Sequence, residues 1–436
     1  MKWSGDQERM QQGRLSRKPK EASGAVLVAH LSFHKRLTGG CKTMKTRELR
    51  MIEIVALAMM LMSLGCAQAQ TRDARYWPFS ATSAWNSPIG NGAVYATVAN
   101  WSSLSGGFNP TAWTVSVGLT TTSNSEDKLY VNTGTTTGNY AWLAAGKSGC
   151  KVSAKNAATL LSTSTQSIVF EANPYSTIGT GSENSQTIWP ASYNPISADY
   201  STSFYIPSGL CASPDTDGLL AVVQPNGWVM EAYEGITTAS GDLIAGNVAG
   251  YYDLQGDGSG WQNGRRASMV PAIAGLIRTG EVKQGNIPHA LAATLSPTIL
   301  TEQAVWPAYA FDTNSGYAGT LPMGSLMAIP PSVNLSTLGL TASGLIVATA
   351  AQNYGVYIVD RGGTGGITFQ VQYEDNDATL SNNDATIIAK QLQQVTNNSE
   401  STPGGGGTVF RAPAAPAFSN CDSCTYTSTA PQSATY

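Results

Sequence analysis

The chain of 436 residues predicts a mainly β fold: a single β-rich, sandwich-like domain with a few peripheral helices. Three observations predict it. Charged residues make up only 12% of the chain while glycine occurs 45 times, so weakly charged segments are broken often by turn residues. Short runs rich in Val, Ile, Tyr, Trp and Thr recur between clusters of Gly, Pro, Asn and Asp, the pattern of strands joined by turns. Only two windows carry a helical apolar stripe with a recognisable cap.

The N-terminal part is set aside first. Residues 1–43 are basic and irregular and read as an over-extended start, with Met44 or Met51 as the first residue. Residues 44–69 read as a secretory signal peptide: Lys45, Arg47 and Arg50 precede an apolar run from Ile52 to Leu64, and Ala67-Gln68-Ala69 is a small-x-small cleavage site. That run is shorter than the roughly 20 residues a membrane-spanning helix needs. Gly65-Cys66 would suit a lipid anchor, but Ser63 stands where such signals carry leucine. The expected location is extracellular or periplasmic, with no transmembrane segment and a monomeric state.

Leaving out residues 1–69 removes 12 of 25 Lys+Arg and 5 of 28 Asp+Glu, so 13 face 23 and the net charge is −10. An acidic surface repels phosphates, which excludes nucleic acid as the expected partner. It also disfavours a polyanionic substrate unless Arg265, Arg266 and Arg278 gather locally. Cys150, Cys211, Cys421 and Cys424 remain, and an even number in an exported chain predicts disulfides. Cys150–Cys211 is the expected pair, with Cys421–Cys424 closing a small loop.

Strands are predicted at 112–119, 128–132, 167–172, 219–224, 228–234, 249–254 and 367–373. In "LLAVVQPNGWVMEAYE" two β-prone runs flank Pro225-Asn226-Gly227, a strong hairpin signal. Glu231 and Tyr233 then share one face of the second strand, with Met230 and Ala232 on the other. A helix over 341–355 ends at Gly355 and leads directly into a strand at 356–360. "RGGTGG" at 361–366 is a turn. A second helix over 384–395 starts on Asp384 as N-cap. Residues 398–436 read as a Pro/Gly-rich linker and cysteine-bearing tail, which leaves one domain over 70–397 with no internal repeat.

Reactive side chains concentrate between Asp215 and His289. Zinc hydrolases need two or three histidines, and His289 is the only one after residue 69, so no metal and no cofactor is expected. No G-x-S-x-G elbow, phosphate-cradling loop or dinucleotide fingerprint occurs. Two chemistries survive. Paired carboxylates can flank a glycosidic bond as acid and base or nucleophile, and Asp217, Glu231 and Asp253 are the candidates. His289 and Glu281 would orient or tune them. In the alternative, a polysaccharide lyase, His289 or a tyrosine abstracts the proton beside a uronate carboxylate that Arg265 or Arg266 neutralises. Trp261, Tyr251, Tyr252 and Tyr233 are the candidate sugar-binding residues with Arg265, and core packing is the plainer reading of Trp261 and the Tyr251-Tyr252 pair. A packed His289 bonded to a carboxylate is the plainer reading of that residue. The acidic net charge ranks a glycoside hydrolase acting on a polysaccharide first, and a non-catalytic carbohydrate-binding or cell-surface protein is the non-enzymatic alternative.

"YWPFSATSAWNSPIGNGAVY" (76–95) and "GRRASMVPAIAGLIRTGEVKQGNIPHAL" (264–291) resemble two signatures of a family of secreted bacterial proteins. The first carries Trp85-Asn86 and Pro88-Ile89-Gly90. The second ends in Gly285, Ile287, His289, Ala290 and Leu291. Blocks at 305–312, 321–340 and 350–360 extend the resemblance. It implies that Asp217, Glu231, Asp253, Glu281 and His289 occupy signature-like positions, and it attaches no activity to them.

Overall fold

The computed structural model describes residues 71–111, 114–124, 126–131, 203–207, 210, 212–213, 218–232, 235–237, 243–245, 249–260, 264–311, 316–363, 365–373 and 380–418. They belong to one compact unit, Gln68–Tyr436. The expected disulfide cysteines and the predicted strand at 167–172 lie outside the described residues.

Strands dominate. β1 (Tyr95–Ala96), β2 (Ser105–Phe108), β3 (Val115–Leu119) and β4 (Glu126–Val131) come first. Next are β5 (Ser203–Tyr205), β6 (Leu219–Val223), β7 (Trp228–Ala232), β8 (Ile236–Thr237), β9 (Leu243–Ala245) and β10 (Ala249–Asp253). The short helix α1 (Glu281–Gln284) precedes β11 (Leu291–Leu295), β12 (Leu300–Ala304), β13 (Leu321–Met323) and β14 (Leu326–Ala328). Then follow α2 (Ala342–Asn353), β15 (Val356–Arg361), β16 (Gly366–Phe369), α3 (Asn382–Gln391) and β17 (Gln393–Val395). The domain is β-rich with few helices. Among the described residues, no helix is long and apolar enough to cross a membrane.

A seven-stranded sheet runs β1-β17-β14-β15-β11-β16-β2, and a four-stranded sheet runs β10-β7-β6-β3. β11 is central in the larger one, parallel to β15 and antiparallel to β16. Its alternate residues enter different cores. Leu291, Ala293 and Leu295 join Val347, Ala351, Ile388 and Ala389 of α2 and α3. Ala292 joins Val115, Leu219, Ala221, Val223 and Val229 of the four-stranded sheet. In β15, Val356 and Ile358 face the helices while Tyr357 and Val359 face the second sheet. The layers are therefore sheet, sheet and helices. Both faces of β11 and β15 are covered, so "ALAATL" and "VYIV" are mainly apolar, with the half-buried Thr294 the one polar side chain of β11. Each buried Leu or Ile contributes about 1.5–3 kcal/mol to holding the layers together.

The expected hairpin forms between β6 and β7, with Val223 opposite Val229. Gly227 takes φ 83°, and its N–H donates to the Gln224 carbonyl at 3.0 Å. α2 ends as expected, with Gly355 at φ 85° just past it. α3 starts earlier than predicted: Ser381 is the N-cap, accepting from Asn383 N, and the chain leaves the helix at Leu392 to form β17. Asp384, expected to cap its own helix, instead serves the neighbouring one. Its buried carboxylate accepts from Thr341 N at 3.1 Å and from the Thr341 hydroxyl, and Thr341 caps α2 through Gly344 N. α3 also covers the end of the sheet: Thr386 Oγ1 accepts from Gly106 N, and Asn382 Oδ1 from Phe108 N. A Cβ on Gly106 would lie 2.2 Å from the Ala385 carbonyl oxygen, so only glycine lets helix and strand approach this closely.

The expected linker after residue 398 is, through residue 418, part of the domain. Gly90 N donates to Gly404 O, Asn91 N to Val409 O, Gly92 N to Gly406 O and Arg411 N to Ile89 O. The glycines supply conformations rather than slack, since Gly404 through Gly407 all have positive φ.

Removing the Asp384 carboxylate leaves the Thr341 amide and hydroxyl without their partner. Asp384→Ala is expected to lower the unfolding free energy by about 2–3 kcal/mol in urea titrations, the cost of losing a buried charged acceptor.

Candidate functional site

The inner face of the β6–β7 hairpin carries Val229 and Glu231, and β10 brings Tyr252 to the same face through the pairs Gly250–Glu231 and Tyr252–Val229. Glu231 is completely buried. Its Oε1 accepts from the Tyr252 hydroxyl and from Ala272 N at 2.7 Å, and its Oε2 from Arg265 N at 3.0 Å. Burial pushes this carboxyl above its ordinary range. The Tyr252 hydroxyl, the two amides and the Arg265 charge pull it partly back. Burial and Glu231 together hold the Tyr252 phenol well above its usual value. Glu231 thus ties down both ends of the loop 265–272 and faces no groove. Tyr252, expected to stack on sugar, is 2% exposed and belongs to the core. The reason is its hydroxyl, which is committed to Glu231.

The loop runs on through Arg278 into α1. Glu281 Oε2 accepts from Arg278 N at 2.7 Å, and Arg278 O accepts from Glu281 N, so the two residues close the turn that leads into the helix. Gly285, at φ 84°, ends the helix and turns the chain so that His289 comes back over Glu281. His289 Nε2 lies 2.9 Å from Glu281 Oε1, and Nδ1 lies 2.9 Å from the Ala290 carbonyl. Nε2 thus faces a carboxyl group and Nδ1 a carbonyl, surroundings that favour the protonated ring. Burial alone would lower its pKa. The charge and hydrogen bond of Glu281 and the Ala290 carbonyl outweigh that, and the pKa is raised despite Arg278 nearby. The packed histidine bonded to a carboxylate is what the fold contains.

Arg278 joins the two groups, because its charge acts on Tyr252 as well as on His289. It is 6% exposed, and Nε donates to Gln372 Oε1 at 2.9 Å. Arg278 and His289 line a narrow cleft with about 10 Å³ of free space, whose other walls are Trp77, Pro78, Phe79, Trp85, Asn86, Ile273, Gly275 and Leu276. Asn86 organises the aromatic wall: Oδ1 accepts from Trp77 Nε1 at 2.7 Å, and Nδ2 donates to the carbonyls of Pro78, Phe79 and Ser80. Phe79 stands at φ 68°, a left-handed conformation that costs a non-glycine residue about 1–3 kcal/mol. Gly275, at φ 65°, is required where it is, since a Cβ there would lie 2.5 Å from the Trp85 ring.

The fold therefore brings Glu231, Tyr252 and Arg265 together, and Glu281 with His289. Asp253 ends β10 half-buried, where its Oδ1 accepts from Gln255 N at 2.8 Å and caps the turn that follows. Tyr251 pairs with Met230, one step out of register with Glu231. Asp217, Tyr233 and Trp261 lie outside the described residues. Arg265 and Arg266 are 9% and 2% exposed, and Arg278 rather than either of them reaches the cleft. Trp77, Phe79, Trp85 and Asn86 were not among the expected site residues. Their only signal was the density of Trp, Phe and Asn in "YWPFSATSAWN". Among the described residues, no group of three or more His, Cys, Asp or Glu gathers. No known protein-family model matches this chain, and neither a curated protein nor a solved structure matches it.

Two outcomes follow from these bonds. Glu231→Gln turns an acceptor into a donor facing Arg265 N or Ala272 N, and is expected to cost about 2–4 kcal/mol of unfolding free energy in denaturant titrations. For His289 the folded pKa lies above the unfolded value of 6.5. Its stabilisation is therefore complete below that value and fades as pH rises through the folded pKa. His289→Gln should flatten that part of a plot of unfolding free energy against pH.

Proposed function

We propose that the chain is an exported carbohydrate-recognising protein that seats a sugar carboxylate in the cleft between the Trp77–Phe79 wall and Arg278. The observation that supports it is the convergence of the Arg278 guanidinium and a histidine of raised pKa on one aromatic-walled cleft, in a domain with a net charge of −10 once residues 1–69 are left out. An acidic surface with one cationic hollow selects for a single anionic group rather than a densely charged polymer. Arg suits the carboxylate of a sugar, while Trp77, Phe79 and Trp85 are buried and form the closed wall behind that group rather than a stacking platform. The free space in the cleft is about 10 Å³, room for one water-sized group, so only the acid group of a sugar would enter it and the ring would rest at its mouth.

Recognition ranks ahead of lyase chemistry because both ring nitrogens of His289 are already engaged within the fold, one with Glu281 and one with the Ala290 carbonyl. Paired-carboxylate hydrolysis is the second reading, and it draws on a different place. Tyr309 is pushed up by burial, then by the charges of Glu400 and Asp257, so two exposed acids flank one half-buried phenol.

Titration calorimetry with a uronate oligosaccharide and its neutral counterpart tests the first reading. Saturable binding of the acidic sugar alone is expected, weakened about tenfold by Arg278→Gln and less by Arg278→Lys, in line with one charge-assisted bond. Equal binding of the neutral sugar would overturn it. New reducing ends from a neutral polysaccharide, abolished by Glu400→Gln, would replace it with hydrolysis.

A further inference from the structure

Asn86 braces the aromatic wall of the cleft from within, and the wall is held from outside as well. Its backbone bends through Trp77, Pro78 and Phe79, and the carbonyls of all three accept from one guanidinium, that of Arg72. The Pro78 contact is 3.1 Å, and the other two are shorter still. Three carbonyls turned inward on one buried cation form a fixed corner that no helix or sheet supplies.

Arg72 is in turn held by the far end of the chain. Its Nε donates to Pro416 O at 2.7 Å, its backbone N–H to Ala417 O at 3.1 Å, and its guanidinium lies 3.9 Å from the centre of the Phe418 ring. On the opposite side the same group stands 5.4 Å from the Trp77 ring. Arg72 is 5% exposed. The segment leading to Phe418 is itself fastened: Arg411 N donates to Ile89 O, and an Arg411 guanidinium nitrogen to Gln352 Oε1 at 3.0 Å.

We propose that Arg72, seated by Pro416 and Phe418, is the positioning residue of the cleft, so that the aromatic wall takes its binding shape only when the C-terminal segment has docked. Arg72 touches no ligand in this scheme. It acts through the carbonyls of residues 77–79, and the carboxylate it serves is the one proposed above, on which the affinity part of the test rests. For an exported chain the consequence is an order of events: the cleft forms only after the last part of the domain has emerged.

The test uses the full chain with Arg72→Lys, Phe418→Ala and Phe418→Tyr, read by hydrogen-exchange mass spectrometry and by uronate titration. Lysine keeps the charge but cannot reach three carbonyls and Pro416 at once, and tyrosine keeps the ring. Arg72→Lys and Phe418→Ala should speed exchange in peptides covering 77–87 by tenfold or more while peptides of β11 and β15 stay unchanged. Both should weaken uronate binding about tenfold, and Phe418→Tyr should match the parent in both measurements. Unchanged exchange at 77–87 in Phe418→Ala and Arg72→Lys would overturn the proposal. So would faster exchange spread evenly over the domain, which would make the contact a general brace. If the parent chain binds no uronate, the recognition reading falls, and the exchange data still decide the role of Arg72.

Discussion

One buried carboxylate fixes the geometry on which the candidate site depends. Glu231 sits on the inner face of a four-stranded sheet, where a charge is tolerated only if its oxygens are fully engaged. Its partners are a phenol from the next strand and two amides from a distant loop. That loop leads to Arg278, then to α1 and His289, and so into β11 at the centre of the larger sheet. The same bonds explain why an acid stands among apolar neighbours. Without it the loop amides at 265 and 272 would be buried against a hydrocarbon face with no acceptor, at roughly 1–3 kcal/mol each.

The second layer of order is electrostatic. Glu281 bonds both the backbone at its own helix start and His289, so one carboxyl group fixes the start of α1 and raises the pKa of the imidazole. The charge of Arg278 acts on both His289 and Tyr252. Glu281, Gln372 and the carbonyls of Ala290 and Arg75 engage the polar atoms of these two buried side chains, His289 and Arg278. The cleft combines this charge with rings placed by a strained Phe79 and by Asn86. Such a mixture of perturbed titrations and aromatic walls is characteristic of binding sites, although ion pairs that serve only the fold share the first property.

Much of the fold was legible because its causes are local. Pro225-Asn226-Gly227 dictates a hairpin, and Gly355 dictates the stop between α2 and β15. The doubly apolar runs of β11 and β15 follow from burial on two sides. α3 was misplaced because two caps competed within four residues: Ser381 won, and Asp384 was drawn away by Thr341 of another helix. The site was legible only in part. Glu281 and His289 are eight positions apart and joined by a glycine turn, so their pairing is nearly a local matter. Glu231 was singled out, but its burial was not, since an acid on a strand is ordinarily exposed and its amide partners lie 34 and 41 positions onward. The bond from Arg72 to Pro416 spans 344 positions, and no pattern within a window reveals it.

The way α3 lies over β2 also bears on how the protein behaves in company. The seven-stranded sheet has two open margins, and an unpaired margin invites strands from other molecules to add to it. At one margin β1 is two residues long, and the preceding Val94 amide is taken by Asn397. At the other, the outward amides of Gly106 and Phe108 are already occupied by Thr386 and Asn382. A large sheet rich in Val, Ile and Ala is thereby denied the template for growth between chains, so copies of the molecule can stay dispersed at high concentration.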